Sequence, residues 1–133
     1  MIVVSVLTGM AAPELQAVVD RARVVRATAD IHAIEVDIAS YQAAHDSLPA
    51  SLGAIGRATM TDPWGRHYQY WPGRHDGGGV RVDGARRPLN SDYDLYSDGA
   101  DGTSSSSIAA RISRDDVIRA GDGEFIGEAR NWR

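Results

Sequence analysis

The run Asp62-Pro63-Trp64-Gly65-Arg66-His67-Tyr68-Gln69-Tyr70-Trp71 is where the chain changes its period. Upstream, from Glu14 to Asp46, there is no Gly or Pro, and Ala, Glu, Gln and Arg are frequent, a pattern that predicts a long helix. Downstream, His67 to Trp71 has the aromatic composition of a strand. Between them Ser47-Leu48-Pro49 stops the helix, and Ser51 to Gly56 reads as a short turn or half-helix tucking Leu52 and Ile55 inward. Pro63 fixes φ after Asp62 and Gly65 permits a tight turn, so Trp64 is expected to fold back onto the junction of helix and sheet. One long helix followed by short strands is an α+β chain.

Working back towards the N-terminus, two apolar stripes run along the helix. Leu15, Val18, Ala22, Val25 and Ala29 form the first, and Val24, Ala27, Ile31, Ile34, Ile38 and Tyr41 form a second, roughly 120° around at about 100° per residue. The buried face therefore changes midway. The second stripe is expected to pack on the chain's own sheet and the first on another molecule, against the alternative of a curved helix wrapping one core. Residues 1–30 are read as a helical stem and residues 31–133 as the globular part. The apolar run Ile2 to Ala12 ends at Pro13-Glu14, short of the roughly 20 residues a bilayer span needs. No positive charge precedes it and no small-residue cleavage site follows, so it does not read as a complete signal peptide.

Working forward, Val80-Arg81-Val82 after Gly77-Gly78-Gly79 is a weak strand candidate, and Tyr93-Asp94-Leu95-Tyr96-Ser97 is a further one. On the latter, Tyr93, Leu95 and Ser97 share a face while Asp94 and Tyr96 point the other way. The stretch from Asp98 to Ser107 is an Asp-, Gly- and Ser-rich loop whose serine run, Ser104 to Ser107, is expected to pack against nothing. Ile108 to Ile112 and Asp116 to Ile118 are segments that could pair or dock. Phe125-Ile126 is read as the last apolar anchor before Trp132.

Composition narrows the function. A chain of 133 residues supports one core. It has no cysteine, hence no disulfide, thiolate metal site or cysteine nucleophile. All 14 basic residues are arginine, against 18 acidic ones, for a net charge of -4. The absence of lysine excludes a Schiff base and a Walker-type phosphate loop, and the acidic balance argues against nucleic acid as a partner. His32, His45, His67 and His75 sit in no catalytic motif, and the serine run lacks the strand-turn-helix setting of a nucleophile elbow. No enzymatic activity is expected.

Acidic residues gather late in the chain, and Asp98-Gly99-Ala100-Asp101-Gly102 combines carboxylates with glycines that let carbonyls converge, as calcium requires. The spacing is not that of an EF-hand, and solvated turn aspartates are the alternative.

Two ordered motifs, Asp62-Pro63-Trp64-Gly65-Arg66-His67-Tyr68-Gln69-Tyr70 and Tyr93-Asp94-Leu95-Tyr96-Ser97-Asp98-Gly99-Ala100-Asp101-Gly102, strongly resemble those of the major pseudopilin of the bacterial type II secretion system. Together with the long helix and Leu48-Pro49, the resemblance covers nearly the whole chain. It implies a pilin-like α+β fold: a long N-terminal helix packed on a small antiparallel β-sheet and closed by a calcium-binding C-terminal loop. It also implies a calcium site drawn from Asp98, Asp101, Asp115 and Asp116, with Asp98 giving its carbonyl or its carboxylate. No disulfide or large apolar cluster is evident near the loop, so a bridging ion is expected to supply its closure. The implied role is structural: self-assembly into a periplasmic filament with minor pseudopilins and an inner-membrane assembly platform, driving protein secretion across the outer membrane of a Gram-negative bacterium. The stem would lie in the inner membrane before assembly. Met1 falls where the family's apolar segment is already under way, which reads as a late start or a trimmed chain, with membrane anchoring only if the missing segment exists upstream. Alternatives are a type IV pilin-like subunit for adhesion or DNA uptake, a calcium-dependent carbohydrate-binding module using Tyr70, Trp71 and Trp132, and, last, a small hydrolase.

Overall fold

The computed structural model describes residues 12–73 and 80–133. The apolar run from Ile2 as far as residue 11, His75 and the glycines Gly77 to Gly79 lie outside them. A 34-residue helix, α1 (Ala12–His45), leads into a four-stranded antiparallel sheet: β1 (Gln69–Pro72), β2 (Tyr93–Ser97), β3 (Val117–Ala120) and β4 (Phe125–Glu128), in that spatial order.

Helix α1 is about 51 Å long at 1.5 Å per residue. Pro13 is tolerated in its first turn, and Glu14 there faces the positive end of the helix dipole. It stops where Asp46 turns left-handed at φ 55°, its amide still donating to the Gln42 carbonyl at 2.8 Å. Pro49 then forbids continuation. Ala27, Ile31, Ile34 and Ile38, from the second stripe, are buried. They pack with Tyr68, Tyr93, Leu95 and Val117, and the half-buried Leu52, Ile55, Trp64, Tyr70 and Ile126 close the edges of this core. Polar ties reinforce it. The Tyr68 hydroxyl donates to Asp30 Oδ2 at 2.7 Å, and Arg119 on β3 donates from Nε to Glu35 on the helix at 2.6 Å. Arg119 also forks onto Asp92 and lies over the Tyr93 ring. No helix among the described residues is long and apolar enough to cross a membrane.

The alternation of β2 is as expected from the sequence. Tyr93 and Leu95 face the helix, while Tyr96 turns to a second apolar cluster of Leu89, Ile108, Ile118, Ala120 and Ala129, edged by Phe125 and Trp132. The sheet is thus covered on both sides, by the helix on one and by loop segments on the other. That second cluster corrects the expectation that no large apolar cluster lies near the C-terminal loop.

Two strand assignments also differ. Val80 to Val82 is no strand; Val82 makes only isolated bridges, to Pro88 and to Ser107. Arg81 is the reason, because its side chain is buried beneath the loop and its amide is committed to the Asp94 carboxylate at 2.8 Å. The remaining strands come instead from Val117–Ala120 and Phe125–Glu128, paired through four residue pairs.

The turn at Asp62 is built by a buried carboxylate. Asp62 Oδ1 accepts the amides of Trp64 and Arg66 at 3.0 and 2.9 Å, and Oδ2 accepts the Ser97 hydroxyl of β2 at 2.6 Å. Gly65, at φ 89°, completes the turn. Trp64 ends half-buried against the helix-facing core, as its position in the motif predicts.

Candidate metal centre

The connection between β2 and β3 folds back on itself so that Asp101, Asp115 and Asp116 each offer a carboxylate oxygen within 4.8 Å of the others. The close approach depends on two glycines. A Cβ on Gly99, at φ 69°, would collide with the Asp115 backbone carbonyl, and one on Gly102, at φ 67°, would strike the Arg66 guanidinium. Arg66 Nη1 donates to the Gly99 carbonyl at 3.3 Å, tying the loop to the Asp62 turn.

Hydrogen bonds fix each carboxylate. Asp101 is exposed and accepts the Thr103 amide on Oδ1 at 3.0 Å, while the Asp101 amide donates to Asp115 Oδ2, also at 3.0 Å. Asp116 is fully buried; its Oδ2 accepts from Arg81 Nη2 and from Ser104 Oγ, each at 2.6 Å. Ser104 also bonds Arg81 Nη1, and Ser113 Oγ holds both the amide and the carbonyl of Ser105. The serine run therefore does not stand free, contrary to the sequence expectation. It supplies the groups that seat Asp116.

Two oxygens are left over. Asp115 Oδ1 and Asp116 Oδ1 are buried and hydrogen-bonded to nothing. Burial first, and then the neighbouring carboxylate of the trio, raises the Asp115 and Asp116 carboxyls; Asp116 reaches about 6 in spite of its bonds to Ser104 and Arg81. Asp101 moves the other way: burial is the largest single influence and pushes it up, but the Thr103 and Asp115 hydrogen bonds and the Arg66 charge together hold it below the usual carboxylate range. Oxygens bound to one calcium ion at 2.3 to 2.6 Å lie no more than about 5 Å apart, so the spacing of the trio suits a single hard cation. The oxygen-only donor set excludes ions that need sulfur or imidazole. The Arg81 guanidinium, on Oδ2 of Asp116, supplies a fixed positive charge at the same carboxylate. A metal ion would share Asp116 with it, through Oδ1.

Of the four aspartates read from the sequence, three bring their carboxylates together, and the Asp98 carboxylate is not among them. Asp98 is half-buried outside the trio, with its carboxyl raised by burial. Sequence reasoning missed Arg81 and Ser104. Alternation between Val80 and Val82 would put Arg81 on the face opposite the valines, so the local pattern carried no signal for its burial. The loop's closure likewise has more sources than an ion: the Arg81–Asp116 pair, the Ser105–Ser113 bonds and Ile108 in the second cluster all draw it in.

The histidines form no cluster among the described residues. His32 is exposed on the helix, His45 stacks on Tyr41, and His67 Nδ1 lies 3.3 Å from the Met60 carbonyl. Of the three aromatics considered for sugar stacking, Tyr70 is half-buried with its hydroxyl on the Pro49 carbonyl at 2.9 Å. Trp132 packs on Phe125, and Trp71 is 37% exposed. Comparison of the chain with protein-family models, curated proteins and solved structures returned no significant match.

Proposed function

We propose that the chain is a structural subunit of a pilin-like filament, the periplasmic pseudopilus of type II protein secretion, with a calcium ion held by Asp101, Asp115 and Asp116. The observation that carries the reading is the division of the helix. From Ala27 to Ile38 the second stripe is buried in the protein's own core, while Leu15, Val18 and Val25 of the first stripe are 50, 56 and 63% exposed. An apolar stripe that a folded subunit leaves in water is a surface for a partner. Identical stems packed side by side would cover it, since each would contribute the same stripe. The motif resemblance around Asp62 and Tyr93 supports the secretion pseudopilus over other filaments. It also brings the expected partners, minor pseudopilins and an inner-membrane assembly platform, and the expected location, inner membrane and periplasm. In this role the chain catalyses nothing; the sheet and the calcium loop present a rigid outer surface.

The test expresses the chain with a secretion assembly platform in a Gram-negative host and counts filaments by electron microscopy. Val18→Asp and Val25→Asp are expected to abolish filaments, because the charge is buried only on assembly, while the melting curve of the purified subunit stays within about 0.5 kcal/mol of wild type. Filaments that persist in both variants would refute the assembly surface, and collapse of the subunit's own transition would show that the stripe packs within one chain.

A further inference from the structure

On the face of the sheet away from the helix, a cavity of about 730 Å³ opens between the 83–88 turn, the Ile108-Ala109 segment and the stretch from Ala129 to Arg133. Its size falls in the range of built ligand sites, about 300 to 1,000 Å³. Its floor is apolar, made by Pro88, Leu89, Ile108, Ala129 and Trp132, three of which belong to the buried second cluster. Its rim is cationic. Arg87, Arg114, Arg130 and Arg133 line it, against the single carboxylate of Asp83. Asp83 pairs with Arg87 at 2.9 Å and Glu128 with Arg130 at 3.0 Å. Among the described residues Arg114 and Arg133 have no acidic partner.

A chain of net charge -4 that gathers four of its 14 arginines around one apolar hollow has a local field opposite to its overall one. We propose that this cavity is a docking site for an acidic peptide segment of another protein, one that places a large apolar side chain on the floor and carboxylates against Arg114 and Arg133. The guanidinium fork pairs with a carboxylate through two parallel hydrogen bonds, so two unpaired arginines across an apolar floor match carboxylates flanking an apolar residue. The apolar floor and the net negative charge of the chain disfavour nucleic acid, whose phosphates would use only the rim. A second copy of this chain is disfavoured by the same argument. Its free helical stretch balances Arg21, Arg23 and Arg26 against Glu14, Asp20 and Asp30, so it brings no excess of carboxylates to the arginine rim. The proposal does not depend on filament formation.

The probe is a capped peptide in which Phe-Leu is flanked on each side by Asp and Glu, titrated into ¹⁵N-labelled protein at fixed calcium. Shifts are expected at the Ala109 and Ala129 amides and the Trp132 indole, weakening as salt rises from about 0.05 to 0.3 M. The double variant Arg114→Gln/Arg133→Gln should bind roughly tenfold or more weakly with an unchanged melting curve, while Arg21→Gln/Arg23→Gln on the helix should bind as wild type does. Equal binding of the Asn/Gln version of the peptide would overturn the proposal, as would binding that survives in the Arg114/Arg133 variant. So would shifts from inorganic phosphate or laurate with none from the peptide, the same shifts on concentrating the protein alone, or no shifts at all.

Discussion

Raising the pH from about 4.5 to 7 without divalent ions is expected to destabilise the fold, and calcium is expected to reverse part of that loss. The argument rests on Asp116. Its carboxyl is pushed from the ordinary 3.8 up to about 6 by burial, so between those values the folded chain keeps a proton that the unfolded chain has released. Where the folded state binds more protons, stability falls as pH rises. A displacement of about two pH units is worth at most about 3 kcal/mol, and Asp94, Asp98 and Asp115, also raised by burial, act in the same direction. Asp83, Asp101 and Asp122 are shifted down, so their stabilising contribution is complete above the ordinary carboxylate value and is lost only in stronger acid. Calcium binds the ionised trio. With a dissociation constant of about 0.1 to 1 mM, as in extracellular calcium modules, 1 mM calcium adds about 0.4 to 1.4 kcal/mol at pH 7. That is a rise in melting temperature of roughly 2 to 8 °C. Near pH 4.5 Asp116 holds its proton and the increment should vanish. The assay is thermal melting at both pH values with calcium, with magnesium and with neither, on wild type and on Asp101→Ala. The variant removes an exposed ligand and should lose the calcium increment at a cost to the ion-free fold of about 1 kcal/mol or less. An increment of equal size at both pH values, or one that survives in Asp101→Ala, would refute the reasoning; magnesium, which keeps its waters, should give little.

Three further changes probe the frame. Trp64→Ala removes a half-buried ring and should cost about 2 kcal/mol on urea denaturation, below the 3 to 5 of a fully buried tryptophan; a loss under about 0.5 would place the ring in solvent. Arg119→Met should cost about 3 kcal/mol, at the low end for a broken buried pair because Glu35 and Asp92 both reach water once released, and a near-neutral result would mean the pair is not formed. Gly99→Ala forces a Cβ into the Asp115 carbonyl at a left-handed φ, so it should cost about 2 kcal/mol or more and abolish the calcium increment together; retention of the increment would show that the Gly99–Asp115 approach does not shape the site.

The helix and its buried stripe were legible because Ala27, Ile31, Ile34 and Ile38 repeat at 3-4 spacing with no breaker among them. The Asp62 turn and β2 were legible from Pro, Gly and a five-residue aromatic alternation. Strand β3 was not, because Val117-Ile118-Arg119-Ala120 is buried on both faces and shows no alternation, and its arginine looks like a surface residue until Glu35 and Asp92 are in place. Strand β4 was hidden by Gly127. Asp101, Asp115 and Asp116 could be named from composition and motif, but the partner that seats Asp116 could not: Arg81 lies 35 positions away, and only the fold brings them together.

The sheet is not uniformly sewn. Strands β1 and β2 share four residue pairs, as do β3 and β4, but β2 and β3 share only Tyr96 with Ile118 and Ser97 with Val117. It is two ribbons joined by a two-pair seam, and the connection across that seam, residues 98–116, is the one that holds the acidic trio. Such a seam is a natural boundary between cooperative units, one that opens at lower free energy than the ribbons on either side. Opening would bare the unpaired amides of β2 and β3, two strand edges able to recruit another chain. Whatever clamps Asp115 and Asp116 beside β3 to Asp101 beyond β2 therefore acts as a guard against aggregation, lowering how often those edges are exposed while the rest of the protein remains folded.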